Sequence, residues 1–178
     1  MPPFFLIFRD ILLLRRGPQD LPHSTQLLAA IAAACVVVQT VAASILVDQP
    51  TTTLLVSALF SVLLTMIALS VMLGLRRLRN RFVQAAIAML GCNLLFTLIG
   101  IPVATFLPTK PTAPDQMPAI SLLFAPLLLA FVIWQIAVNA HILRHSLDLP
   151  LWGGVAMVLL WVVIAAVLAG IAGSPAML

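Results

Sequence analysis

Few residues of this sequence could do chemistry, and the most prominent of them carry no charge. Asn93, Gln135 and Asn139 lie within long apolar runs, and each side-chain amide can both donate and accept hydrogen bonds. Gln135 and Asn139 are four residues apart, which places them on one face of a helix. If the three amides converge, they form a polar pocket for a ligand, and Pro102 and Pro126 would kink helices beside it. Alternatively, the amides only hydrogen-bond neighbouring helices to one another.

Asp, Lys and Arg residues are missing from the same apolar runs. The chain has five acidic residues, and all of them fall between the runs or at their ends. A charge at the centre of a bilayer costs several kcal/mol, so proteins keep one there only where a function needs it. The pattern therefore argues against ion-coupled transport and against catalysis by paired carboxylates within a membrane.

Two histidines are the remaining candidates for chemistry. His141 and His145 are four residues apart, followed by Asp148, and this spacing puts two imidazoles on one helix face, as a metal site requires. No third ligand is specified, and cations near the C-terminal end of a helix also complement its dipole without a metal. No nucleophile comes with a nearby base. We predict no catalytic residue, no metal and no cofactor, so the protein is not expected to be an enzyme.

The composition identifies the elements that must position these residues. Of the 178 residues, 63% are apolar and 8% charged, and the mean hydropathy is +1.20; soluble domains are nearer half apolar and a quarter charged. One bilayer crossing takes roughly 20 apolar residues. The predicted fold class is all-α: a polytopic membrane protein with five transmembrane helices preceded by a short interfacial N-terminal helix. The predicted divisions are a cytoplasmic interfacial segment 1–26, a transmembrane domain 27–173 with spans 27–47, 53–75, 82–107, 119–143 and 150–171, and a short outside tail 174–178.

The N-terminal segment has two possible arrangements. Phe4, Ile7, Ile11 and Leu14 follow the spacing of one helix face, which is typical of a helix lying on a membrane surface. Other apolar residues fall outside that face. A helix tucked against the bundle is the second arrangement that this pattern allows.

Small and hydroxylated residues recur at helical spacing within the spans. Such stripes let helices approach closely and share hydrogen bonds. We predict helix packing through two of them, one on the second span and one on the fifth: Ser57, Ser61, Thr65, Ala165, Ala169 and Gly170.

The basic residues give an orientation. With five spans, eight of the nine Lys and Arg residues fall on one side of the membrane and only Lys110 falls on the other. Basic residues accumulate on the cytoplasmic side, so the N-terminus is predicted to be cytoplasmic and the C-terminus outside. The net charge of +4 is thus an orientation signal, and no nucleic-acid partner is expected. The one cluster of arginines is predicted to contact anionic lipids: Arg76, Arg77, Arg79 and Arg81.

The second half of the chain resembles the Yip family of multispanning membrane proteins, which includes small bacterial members. The resemblance is best from residue 81 to 172, in RFVQAAIAMLGCNLLFTLIGIPVA and FVIWQIAVNAHILRHSLDLPLWGGVAMVLLW. There a helix with a proline precedes one with a central tryptophan, a short hydrophilic link and a last helix that begins with small residues. The Tyr positions common in that family are absent. The resemblance implies a non-enzymatic membrane protein; eukaryotic members bind small GTPases, but no GTPase-binding residue matches here.

These observations give two functional hypotheses. The first is a non-enzymatic scaffold or accessory subunit that acts through helix–helix packing with other membrane proteins, with further copies of itself or with membrane lipids. The second is a transport or channel component for a small neutral or lipid-like solute. The ratio of eight Arg to one Lys, together with abundant Ala and Leu, indicates a bacterial inner membrane, where the chain would be a multi-pass protein.

Overall fold

Six α-helices make up the computed structural model, which describes residues 4–104 and 119–171; no strand occurs in this part of the chain. The helices are α1 (Phe4–Leu12), α2 (Thr25–Leu46), α3 (Thr51–Leu75), α4 (Phe82–Ala104), α5 (Ala119–Leu147) and α6 (Leu151–Ile171). Short 3-10 turns at Pro18–Asp20 and Arg79–Arg81 precede α2 and α4. The all-α fold class is therefore confirmed.

Four segments are long and apolar enough to cross a membrane, as expected for an integral membrane protein. They are Thr25–Leu46, Thr51–Leu75, Arg79–Ala104 and Phe124–Leu147, while Leu151–Val167 forms a shorter apolar helix among the described side chains. A fifth span at α6 stays a prediction. The ends of the helices agree with the predicted spans to within a few residues. The largest difference among the described residues is at α5, which continues to Leu147, beyond the predicted end at residue 143. Residues 105–107 of the third predicted span and the predicted tail 174–178 lie outside the described residues.

Helix α4 lies at the centre of the bundle and contacts α1, α2, α3 and α5. Its side chains from Ala85 to Leu90 are all buried, because neighbours surround this stretch. Alanines at three of these positions allow the close approach that membrane helices need. Helix α6 packs mainly on α5, where a Cβ at Gly154 would collide with the carbonyl oxygen of Ala140.

The N-terminal helix α1 packs against α4 and α5, which is the second of the two arrangements considered for this segment. Ile7, Phe8, Ile11 and Leu12 are buried. The predicted face was wrong at Leu14, which is 43% exposed because the helix ends at Leu12 and the backbone of Leu14 is left-handed. The side chain of Phe4 lies outside the described ones.

Two hydrogen bonds attach the end of α1 to α5. Trp134 Nε1 donates to the carbonyl oxygen of Leu12 over 3.0 Å, and His141 Nε2 lies 3.0 Å from the carbonyl oxygen of Arg16. Carbonyls after a helix end have no partner within the helix, so α5 supplies partners that the segment itself lacks.

Candidate functional site

The three amides that the sequence singled out line one cavity. It has a volume of about 210 Å³ and lies between α3, α4, α5 and α6. Helix α4 contributes Asn93, and α5 contributes Gln135 and Asn139 from one face. We call this space the inner cavity. Its lining is completed by Thr65, Ala68, Leu69, Met72, Met89, Val132, Ile136, Leu143, Val158, Trp161 and Val162.

The chemistry of the inner cavity is apolar with a few polar groups. Four of its lining residues are polar, namely Thr65 and the three amides, and none is charged. Small-molecule sites typically combine a mostly apolar wall with a small number of positioned polar groups. The lining therefore fits an uncharged molecule that hydrogen-bonds at one end.

Two of the amides have unsatisfied atoms. The Oδ1 atoms of Asn93 and Asn139 are buried and accept no hydrogen bond from the described part of the chain. A buried polar atom without a partner costs about 1–3 kcal/mol, and in high-resolution structures such atoms are few. Pairing between helices alone thus does not satisfy these two residues.

A second, larger cavity occupies the other end of the bundle. This outer cavity has a volume of about 530 Å³ and lies between α2, α3, α4 and α6. Ser57, Ser61, Thr65 and Ala165, four of the residues predicted to pack helices, line it. Ala169 and Gly170 belong to α6, but their side-chain surroundings lie outside the described ones.

Three of the hydroxyl groups at the outer cavity donate within their own helices. Ser57 Oγ donates to the carbonyl oxygen of Leu54 over 2.8 Å, and Thr65 Oγ1 donates to that of Ser61 over 2.9 Å. Thr97 on α4 does the same toward Asn93 over 2.9 Å. These bonds do not join one helix to another, and helix packing through the stripe stays a prediction.

The arginine cluster lies in the connection between α3 and α4. Arg76, Arg77 and Arg79 are exposed. Arg81 is engaged within the protein, because its Nη1 donates to Asp148 Oδ1 over 2.9 Å and to the carbonyl oxygen of His145 over 3.3 Å. Three of the four predicted lipid-binding arginines are thus available to a partner. We call this side of the bundle the Arg-rich end.

The two histidines contact each other near this end. The rings of His141 and His145 meet edge to face, with centroids 4.5 Å apart. Among the described residues, no group of three His, Cys, Asp or Glu side chains is arranged to hold a metal ion. The ring of His141 instead contacts the Arg16 carbonyl, which gives it a role in fixing the N-terminal segment.

Sequence reasoning missed Trp161, which lines both cavities. In the sequence, a tryptophan within an apolar helix looks the same whether it faces lipid or a cavity, and only the packing of α6 in the bundle distinguishes the two. Conversely, Pro102 and Pro126 lie inside α4 and α5 but line neither cavity.

No protein-family model matches the chain, and neither a curated protein nor a solved structure is significantly similar to it. The resemblance to the Yip family stays a prediction.

Proposed function

We propose that this membrane protein binds a small neutral or lipid-like molecule in the inner cavity, as a component of its transport. The observation that carries the proposal is the convergence of Asn93, Gln135 and Asn139 on one apolar cavity. Asn93 lies on a different helix from Gln135 and Asn139 and more than 40 positions before them in sequence, so its proximity to them depends on the fold.

The size and charge of the cavity limit the ligand. An engineered protein cavity of about 150 Å³ holds benzene, so a cavity of about 210 Å³ accommodates a group somewhat larger than one aromatic ring. An ionised ligand would lie beside an uncharged apolar wall and lose its hydration without a counter-charge. A neutral hydroxyl or amide compound suits the amides, which both donate and accept.

The test uses the leucine variants Asn93→Leu and Asn139→Leu, because leucine has nearly the same shape as asparagine. Small molecules that co-purify with each protein are extracted and identified by mass spectrometry. Thermal unfolding is then measured with added long-chain alcohols, monoacylglycerols and fatty amides as neutral probes. Ser70→Ala, at an exposed site on α3 outside both cavities, is the matched control.

A binding role and a packing role predict opposite changes in stability. Leucine removes a buried unpaired oxygen, so the ligand-free variants should unfold at the same temperature as the wild type or a higher one. They should also lose the co-purified molecule. The added probes should no longer raise their unfolding temperature, whereas in the wild type this rise increases with the ratio of probe concentration to Kd. A lower unfolding temperature with ligand retained would contradict the proposal.

A scaffold function is the second candidate, and the exposure of α6 favours it. Within the described part of α6, Leu159, Val163 and Val167 are exposed, and the helix packs mainly on α5. The small residues Ala169 and Gly170 extend this helix. If they pack against another copy of the chain, Gly170→Leu should reduce the oligomer measured by light scattering. Ile164→Leu, at an exposed position about 120° around the helix from Gly170, should not.

A further inference from the structure

The inner and outer cavities share two residues. Thr65 on α3 and Trp161 on α6 line both of them. No other residue is common to the two linings, so these two side chains lie at the boundary between the cavities.

Three helices show that the cavities are stacked along the bundle. Helix α3 lines the outer cavity from Leu54 to Thr65 and the inner one from Thr65 to Met72. In the same order, α4 passes from Thr97 to Asn93 and Met89, and α6 from Ala165 to Val158. Met72 follows Leu54 by 18 positions on α3, a rise of about 27 Å, close to the hydrocarbon thickness of roughly 30 Å.

Both linings are uncharged, and each places a few polar side chains among mostly apolar ones. Gln39, Ser57, Ser61 and Thr97 face the outer cavity, and the three amides face the inner one. The hydroxyls of Ser57, Thr65 and Thr97 already donate to their own helices, so toward the cavity they retain lone pairs that accept hydrogen bonds. A solute with hydroxyl or amide groups would find partners in both cavities.

We propose that the two cavities form a single route across the bundle for a small neutral solute, with Trp161 as the constriction between them. This inference rests on the proposed function, because the inner cavity is the binding site along the route. Trp161 is the largest side chain that the cavities share, and it is half-buried between them. Its indole divides the route into two compartments that open toward opposite ends of the bundle.

The experiment places one cysteine in each cavity, on either side of Thr65 along α3. Ser61→Cys reports on the outer cavity, and Ala68→Cys reports on the inner one. Leu63→Cys and Ile67→Cys are exposed on the same helix outside both cavities and serve as matched lipid-facing controls. The wild type is the blank, since Cys35 and Cys92 are 0% exposed.

Sealed proteoliposomes with random orientation are treated from outside with a neutral, sugar-bearing methanethiosulfonate, whose hydroxyl groups keep it from crossing lipid. Each reporter opens toward one end only, so about half of Ser61→Cys and half of Ala68→Cys should react, judged by mass shift. Adding Trp161→Ala to either variant should make labelling nearly complete. Trp152→Ala removes an exposed tryptophan of the same helix and should leave labelling at half.

Two results would overturn the route. One is failure of Ser61→Cys or Ala68→Cys to react more than its lipid-facing control, which would mean that lipid or another helix fills that cavity. The other is half labelling that persists with Trp161→Ala and also with the smaller change Trp161→Leu, both checked for folding by gel filtration. Neither result concerns the co-purified ligand and its loss in Asn93→Leu, so the binding proposal is judged separately.

Discussion

Three residues other than glycine hold a left-handed backbone conformation in the described part of the chain, and each terminates a helix. They are Leu14, Arg77 and Asp148, with φ between 50° and 60°. In each case the next residue donates back five positions; Leu78, for example, donates to the carbonyl oxygen of Leu73 over 2.8 Å. This is the helix ending that glycine usually makes. A side chain in this conformation costs roughly 1–2 kcal/mol.

Arg77→Gly should therefore stabilise the protein. Glycine relieves the strain at φ 58° but loses roughly 0.5–1 kcal/mol of entropy on folding, which leaves a net gain of about 0.5–1 kcal/mol. Thermal unfolding in detergent micelles measures it. Arg76→Gly is the control, because Arg76 has φ −89° and glycine brings no relief there. An equal rise for both variants would show that loss of charge, and not the backbone, is responsible.

At the scale of elements, the contact between α5 and α6 depends on one glycine. A Cβ at Gly154 would collide with the carbonyl oxygen of Ala140 in the backbone of α5, whereas a Cβ at Gly153 would lie 3.4 Å from the side chain of Leu149. A helix backbone does not yield as a flexible side chain does. Gly154 thus sets the distance at which α6 approaches, and with it the position of Val158 and Trp161 at the inner cavity.

We expect Gly154→Ala to lower the free energy of unfolding by about 1–3 kcal/mol, the usual cost of an overfilled contact. Gly153→Ala should be neutral, or stabilising by up to about 1 kcal/mol, since alanine favours the helix. Unfolding of the two variants under identical conditions makes the comparison. If both variants lose the same stability, the close approach of α6 to α5 is not what holds the helix in place.

The sequence predicts where each helix begins and ends far better than it predicts which helices contact one another. Hydropathy locates the spans within a few residues, since each crossing needs a long apolar run. Spacing also places Gln135 and Asn139 on one face, but it does not say which helix that face meets. Three features follow only from the packing of the helices. Asn93 lies beside Gln135 and Asn139, Trp161 lines two cavities, and α1 packs against α4. Gly91 is an example, because a Cβ there would collide with the ring of Phe8. In the sequence, Gly91 is only a small residue within an apolar run and does not indicate that contact.

For the whole molecule, the distribution of basic residues predicts an orientation in the membrane. We propose that the Arg-rich end faces the cytoplasm, where anionic lipids add about 1 kcal/mol of attraction per arginine near the surface. Arg76, Arg77 and Arg79 are exposed there, while Arg81 forms an ion pair with Asp148 across the bundle. The cluster therefore divides into three exposed arginines and one that is paired within the protein.

The triple variant Arg76→Gln, Arg77→Gln, Arg79→Gln should lose up to about 3 kcal/mol of summed attraction to anionic lipid. In nanodiscs of mixed phosphatidylglycerol and phosphatidylcholine, native mass spectrometry should find less phosphatidylglycerol retained by it than by the wild type. The wild-type preference should also weaken as salt rises, because salt screens exposed charges. The Arg81→Gln variant should retain phosphatidylglycerol as the wild type does. Because the ion pair that it breaks with Asp148 is exposed, the substitution should lower the free energy of unfolding by no more than about 1 kcal/mol. Unchanged retention in the triple variant would mean that the exposed arginines only orient the chain.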